Sequence, residues 1–169
     1  MLRIDDIPQQ VADDIQGYAL ICLRKCGIIY KYIQKHGGDK MLFYTFNSQE
    51  ERRAFGGSMF IELQFCKLPV GTKNKKIISV DSIVNWQNDS LYVSNENMFY
   101  NEYSRILNCG MYGNLKCGVV DIFGINYYSP SLIDTIIEEI KKNKPLDYET
   151  LIEWLNKAKQ HNGFYVLGM

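Results

Sequence analysis

The sequence predicts an α+β fold in a single domain, and three observations lead to that class. Segments typical of strands follow one another through the middle of the chain, and paired amphipathic helices come after them. The 169 residues are enough to bury one hydrophobic core. No internal repeat or linker divides them. We therefore expect residues 1–169 to form one globular domain, with a mixed or mostly antiparallel sheet packed by helices.

The first segments of the chain predict a helix, a strand and a second, short helix. Apolar residues are dense over 9–36, which predicts a helix broken near Gly17 or Gly27, because glycine inside a helix is unfavourable. Residues 18–23 could instead form a strand. Residues 41–46 are typical of a strand, and Ser48 and Glu51 then have the spacing of a capping box.

Strand signals dominate the middle of the chain. Alternating apolar and polar residues over 59–68 predict a half-buried strand. Residues 76–80 and 83–86 predict one bent or two short strands, and residues 91–93 predict another. An amphipathic helix is expected over 95–107, because its apolar residues recur on one side. Those residues are Phe99, Tyr103, Ile106 and Leu107.

The last third of the chain predicts a strand-helix-helix-strand unit. Residues 118–128 are mostly β-branched and aromatic, which favours a core strand. Ser129-Pro130 is typical of a helix start, Asp147 of a second cap, and Asn162-Gly163 of a left-handed helix end. Two consecutive helices return the chain to the same end of the sheet, so we expect the closing strand, 164–167, to run antiparallel to 118–128.

Composition excludes several classes of function. Nineteen basic and nineteen acidic residues give zero net charge, so the chain has no global field for nucleic acid or an anionic membrane. No apolar run is long enough to span a bilayer, and residues 1–6 do not resemble a secretory signal, so we expect a cytoplasmic protein without membrane contact. The cysteines are odd in number, which favours reduced thiols. They are Cys22, Cys26, Cys66, Cys109 and Cys117.

Histidine and cysteine form no catalytic or metal-binding pattern. His36 and His161 both lie at expected helix ends, where a cation is favourable on its own. Cys22 and Cys26 share a helix face, but without a second pair of ligands core packing is the favoured interpretation. A pairing of His161 in space with one of the later cysteines is left open. We expect no catalytic residue, metal or cofactor.

Two charged features support alternative functions. Asp121 lies in an apolar run, where an unpaired carboxylate is unfavourable. It could serve a small enzyme or ligand-binding domain, together with Asn126 or a histidine, as general base or metal ligand. We favour a hydrogen-bonded structural acid, or a bulge near Gly124. The loop Lys73–Lys76 could belong to a nucleic-acid-binding module, but no recognised binding signature accompanies it, so nucleic acid is not the expected partner.

Tyrosine is the residue type whose abundance departs most from the average composition of proteins. Six of the twelve tyrosines lie between residues 92 and 128, close to several acidic residues. Tyrosine is enriched at binding hot spots, so an aromatic surface with an acidic fringe would suit a basic protein partner. The alternative is that these rings pack the core. The candidate partner-binding residues are Asp89, Tyr92, Glu96, Tyr100, Glu102 and Tyr103.

The C-terminal tail runs from Asp147-Tyr148-Glu149 to Asn162-Gly163-Phe164-Tyr165-Val166-Leu167-Gly168. This tail is similar to cytoplasmic immunity proteins of bacterial contact-dependent growth inhibition and other polymorphic toxin systems. The resemblance covers about the last third of the chain and assigns no functional residue. It implies a protein that is not an enzyme but binds one cognate toxin domain, often a nuclease, and occludes its active site or substrate surface. Such inhibitors often carry an excess of acidic residues. Because the net charge of this chain is zero, any charge complementarity to a basic toxin must be local. The oligomeric state stays open.

Overall fold

Seven strands form one sheet in the computed structural model, which describes residues 41–56 and 61–168. All pairings among them are antiparallel, which confirms the predicted α+β class with a mostly antiparallel sheet. The helix expected over 9–36, together with Cys22, Cys26 and His36, lies outside the described residues. The strands are β1 (Phe43–Tyr44), β2 (Ile61–Phe65), β3 (Leu91–Val93), β4 (Gly110–Met111), β5 (Cys117–Gly118), β6 (Ile125–Tyr128) and β7 (Phe164–Leu167), and their order across the sheet is β1-β3-β2-β7-β6-β4-β5.

Five α-helices connect and cover these strands within the described residues. Half of the predicted capping box is present before α1, where the Ser48 hydroxyl accepts from the Glu51 N–H at 3.1 Å. The Glu51 carboxylate accepts from the Asn47 N–H at 2.7 Å, one residue before the position that a capping box uses. Asn95 caps α3 by accepting from the Met98 N–H at 2.9 Å. The helices are α1 (Gln49–Gly56), α2 (Asn74–Ile77), α3 (Glu96–Tyr103), α4 (Pro130–Asn143) and α5 (Tyr148–Ala158), and a 3-10 turn spans Val80–Ser82.

The C-terminal strand-helix-helix-strand unit is confirmed as β6-α4-α5-β7. Strands β6 and β7 are antiparallel neighbours, with Tyr127 opposite Tyr165. Gly163 precedes β7 with φ of +81°, the left-handed conformation expected at that position. The centre of the sheet is therefore made by β2, β7 and β6, which come from both halves of the described chain.

The sheet buries a different set of side chains on each face. One face packs on α4 and α5, where the isoleucines of α4 join β2 residues such as Leu63 and Phe65. Burying each isoleucine contributes about 1.5–3 kcal/mol. Phe65 also stacks on Trp154 at 4.3 Å between ring centroids. The other face carries a smaller cluster, in which Tyr165 and Cys66 pack against Ile77 and its neighbours.

Three of the predicted strands are wrong in whole or in part. Residues 76–80 do not form a strand but belong partly to α2, because Ile77 and Ile78 both turn inward and the Ile77 carbonyl accepts from the Tyr165 hydroxyl at 2.9 Å. Residues 83–86 also form no strand. The strand predicted over 118–128 is interrupted, since residues 119–124 make a turn between β5 and β6.

Asp147 precedes α5 but does not cap it in the predicted manner. It adopts a left-handed φ of +58°, and its side chain makes no capping hydrogen bond to the helix backbone. Its carboxylate instead accepts from the N–H groups of Leu42 at 3.1 Å and Phe43 at 2.9 Å. The acid therefore joins the start of α5 to β1.

Gly163→Ala tests the entry into β7. A Cβ at this position would overlap the Tyr128 carbonyl oxygen, and φ is already in the region that disfavours side chains. We expect the free energy of unfolding, measured by urea denaturation, to fall by about 3 kcal/mol or more. Gly71→Ala is the matched control, because Gly71 has φ of +87° but open space around it. It should lower the free energy of unfolding by only about 1–2 kcal/mol. Equal losses in the two variants would contradict this account of β7.

Candidate protein-binding surface

A cleft of about 330 Å³ opens between α3 and the turn that follows β5. Two aromatic rings in it are exposed to solvent, Phe123 at 73% and Tyr100 at 41% of their surface. Among the described residues of the lining, Asp121 is the one that is charged. The volume lies at the lower end of the range for ligand pockets, about 300–1,000 Å³, so the cleft suits a single side chain. We call it the aromatic cleft, and its lining residues are Asn97, Tyr100, Asn101, Val120, Asp121, Ile122 and Phe123.

Helix α3 presents Tyr100 to the aromatic cleft by burying its opposite side. Phe99 and Tyr103 are both 0% exposed, and their rings pack with Phe43 of β1. Glu96 and Tyr100 are one helical turn apart and therefore share the exposed side. The amphipathic pattern of α3 thus places a carboxylate next to the aromatic ring.

The other wall of the aromatic cleft is held by the buried side chain of Asn126. Its oxygen accepts from the Asp121 N–H at 2.8 Å, and its amide nitrogen donates to the Asp121 carbonyl at 2.7 Å. The same nitrogen donates to the Val166 carbonyl at 3.0 Å. Because Val166 belongs to β7, this one side chain ties the turn to the centre of the sheet.

The carboxylate of Asp121 is exposed and held in a fixed orientation. Its Oδ1 accepts from the Phe123 N–H at 2.9 Å, which closes an Asx turn. This agrees with the favoured interpretation of Asp121 as a hydrogen-bonded acid near Gly124. Neither alternative partner bonds the Asp121 carboxylate: Asn126 bonds the Asp121 backbone, and His161 stacks on Phe65 at 4.7 Å between ring centroids. Within residues 41–56 and 61–168, no cluster of three His, Cys, Asp or Glu could hold a metal ion.

Tyr112 braces the hairpin beside the aromatic cleft. Its hydroxyl donates to the Val119 carbonyl, and its ring lies so close to Gly118 that a Cβ there would overlap it. Desolvation raises the pKa of Tyr112, and the Asp121 carboxylate raises it further. The phenol is therefore neutral at physiological pH, within the electrostatic field of Asp121.

Two of the six predicted contact residues are wrong, because they are buried. Tyr92 is 1% exposed and donates to Glu62 at 3.1 Å. Tyr103 is 0% exposed and donates to the Leu146 carbonyl at 2.7 Å. Both hydroxyls have partners inside the protein, and burial raises the pKa of each. Neither ring is available to a partner.

The other four predicted residues do not share one site. Tyr100 lines the aromatic cleft, and Glu96 lies one helical turn from it. Glu102 lines a different cleft of about 350 Å³, with Arg105 and Glu139, and accepts from the Leu146 N–H at 3.1 Å. Asp89 forms an ion pair with Lys67 at 2.8 Å. As contact residues, these four stay predictions.

Phe123 is the residue of the aromatic cleft that sequence reasoning missed. It was assigned to the middle of a core strand, where its side chain would have been buried. The signal that could have located it is the order Asp121-Ile122-Phe123-Gly124, since an aspartate followed closely by glycine is typical of a turn. The apolar neighbours of Asp121 concealed that signal.

A second group of polar side chains is buried on the face of the sheet opposite α4 and α5. Glu62 accepts from Gln64 at 2.8 Å as well as from Tyr92. The Gln64 oxygen accepts from Gln87 at 3.1 Å, and Arg52 lies 4.0 Å from the Glu62 carboxylate. These contacts run among the members of the group, so we interpret it as a structural network that joins α1, β2 and β3.

The structure shows where the residues of the predicted nucleic-acid-binding loop lie, but it does not test whether they bind nucleic acid. Lys73, Lys75 and Lys76 are exposed around α2, and none of them takes part in an ion pair of the described residues. Among the described helices, none is both long and apolar enough to cross a membrane.

No protein-family model, curated protein or solved structure matches this chain.

Asn126→Ala tests the anchor of the aromatic cleft. The substitution leaves the Asp121 N–H and the Val166 carbonyl without their partner, and we expect the free energy of unfolding to fall by about 3 kcal/mol. Proteolysis should also become faster within residues 119–124. Asn108→Ala is the control, because its exposed side chain bonds only the nearby Arg105 carbonyl, and it should change stability by about 0.5 kcal/mol or less. An Asn126→Ala protein as stable as this control would show that the turn is held by other contacts.

Glu62→Gln tests the buried network through its pH dependence. Burial raises the pKa of Glu62. Its stabilising contribution is therefore complete below the pKa of the unfolded chain, and is lost as pH rises through the higher folded pKa. We expect the free energy of unfolding of the wild type, measured by urea denaturation, to fall as pH rises through this range. In Glu62→Gln this fall should be smaller. Glu138→Gln, an exposed change on α4, should leave the profile unaltered. Identical pH profiles in Glu62→Gln and wild type would contradict the assignment.

Proposed function

We propose that this protein is an immunity protein that binds a cognate toxin domain and neutralises it by occlusion, using the aromatic cleft as its contact surface. The observation that carries the proposal is the exposed pair Tyr100 and Phe123 beside the Asp121 carboxylate. The sequence resemblance to immunity proteins of polymorphic toxin systems indicates the same class of partner.

The aromatic cleft has the physical properties of a binding hot spot. Hot spots are rich in aromatic residues that become fully desolvated when the partner docks. A phenylalanine that is 73% exposed gains little from the fold, and contact with another molecule would bury the rest of its surface. The backbone beneath it is already held by Asn126, so little ordering entropy is lost on binding.

A nuclease domain is the class of toxin that fits this surface best. Nucleases hold the phosphate backbone of their substrate with lysine and arginine, so their substrate surface is basic. Asp121 and Glu96 supply local negative charge to a protein whose net charge is zero. Complementary charge of this kind favours encounter with a basic surface and disfavours other partners.

Occlusion requires contact area and no catalytic group. A stable complex typically buries about 800 Å² on each partner, which is more than one cleft provides. The interface would therefore extend over neighbouring exposed residues, such as Val119 at 44% exposure. A toxin covered over this area cannot admit a nucleic acid strand.

Phe123→Ser provides the test, in cells that also express the toxic protein encoded beside this one. The exposed ring contributes little to folding, so the variant should keep its melting temperature. We expect loss of co-purification with the toxin and loss of protection, with affinity lower by about 2 kcal/mol, roughly 30-fold. Val80→Ser is the matched control, because Val80 is 75% exposed but lies on the 3-10 turn, outside the cleft.

Two results would end the proposal. A neighbouring toxin that neither co-purifies with the wild-type protein nor is neutralised by it would remove the inhibitor function. A Phe123→Ser protein that protects as well as Val80→Ser would remove the aromatic cleft from the interface.

A further inference from the structure

The aromatic cleft combines aromatic rings and a carboxylate within one small volume. Its rings, Tyr100 and Phe123, are apolar surfaces with electron-rich faces, and its single charged group is the Asp121 carboxylate. An apolar ligand would leave the carboxylate desolvated without a partner, and an anion would be repelled by it. A flat organic cation satisfies both the rings and the acid.

The Asp121 carboxylate is prepared to receive such a cation. One oxygen is fixed by the Phe123 N–H, and the second makes no hydrogen bond or ion pair with the described residues. The backbone of Asp121 is held on both its N–H and its carbonyl by Asn126. The acceptor therefore keeps its orientation while its free oxygen stays accessible.

The described part of the chain does not fill this position with a cation of its own. The ion pairs of that part involve Arg52, Lys67, Lys142, Lys157 and Lys159, and none of them reaches Asp121. Arg105, which is on the exposed part of the chain after α3, lines the other cleft instead. Among the described residues, the Asp121 carboxylate thus has no cationic partner.

We propose that the aromatic cleft receives an arginine side chain of the protein partner, with the guanidinium against Tyr100 or Phe123 and one N–H directed to Asp121. This inference rests on the proposed function and identifies the group that the partner inserts. Arginine fits better than lysine, because a planar guanidinium can stack on a ring and donate to a carboxylate at the same time. A lysine ammonium is more strongly hydrated and makes a point contact.

The test uses the whole protein and short capped peptides as probes. Acetyl-Gly-Arg-Gly-amide is titrated while the ring resonances of Tyr100 and Phe123 are followed by NMR, and the citrulline peptide serves as the neutral isostere. We expect saturable shifts with the arginine peptide and binding at least tenfold weaker with citrulline, with the lysine peptide in between. Added salt should weaken the arginine peptide more than the citrulline peptide.

Asp121→Asn separates the charge from the shape of the turn. Asparagine retains an oxygen that can accept from the Phe123 N–H, so the melting temperature should stay within a few degrees of wild type. We expect this variant to bind the arginine peptide no better than the citrulline peptide. Asp81→Asn, an exposed change on the 3-10 turn, should leave the preference for arginine intact. Equal binding of the two peptides to wild type, no binding of either, or an unchanged preference in Asp121→Asn would overturn the assignment.

The two proposals fail in different ways. If Phe123→Ser loses the toxin while Asp121→Asn keeps wild-type affinity for it, the inhibitor function stands and the arginine assignment is wrong. If the peptides behave as expected but no neighbouring toxin is bound, the arginine site stands and the immunity function is wrong.

Discussion

The buried amide of Asn126 is the constraint on which the aromatic cleft depends. Both ends of the amide bond the Asp121 backbone, and its nitrogen also reaches β7. A buried asparagine with its groups satisfied is stable, but each group left without a partner is costly. The turn over 121–124 therefore has one arrangement that keeps Asn126 satisfied. That arrangement turns Phe123 outward and fixes Asp121 next to it.

The rest of the fold supplies a rigid base for that turn. Strands β2, β7 and β6 form the centre of the sheet, with helices α4 and α5 packed on one face and a smaller cluster on the other. Helix α3 joins this core through Phe99 and Tyr103, which leaves Tyr100 on the outside. The two exposed rings are thus attached to separate elements that are each fixed to the core. The cleft between them is a consequence of packing and not of loop flexibility.

Local signals were sufficient to predict the C-terminal unit from the sequence. Ser129-Pro130, the isoleucines of α4 and Gly163 each specify a helix end, a buried face or a turn within a few residues. The turn over 119–124 has a local signal in Asp121 and Gly124, but its apolar residues conceal that signal. The hydrogen bond from Asn126 to β7, about forty residues away, cannot be inferred from the turn itself. Its apolar residues resemble a strand when they are considered alone.

Two of the six predicted contact residues, Tyr92 and Tyr103, are buried, for a related reason. Composition identified tyrosine as unusual but does not say which rings face solvent. The periodicity that predicts α3 already places Tyr103 with Phe99 on the buried side, and this argues against Tyr103 as a contact residue. Tyr92 is different, because both faces of β3 are covered and alternation along a strand cannot reveal this.

The contact between Gly168 and the turn has a consequence for biosynthesis. The Gly168 N–H donates to the Gly124 carbonyl at 2.7 Å, and its backbone lies so close to Ile122 that no side chain would fit. The residues of the turn leave the ribosome well before β7 does, and until β7 arrives they lack two of their supports. The turn therefore gains its last hydrogen bonds only when β7 has joined the sheet.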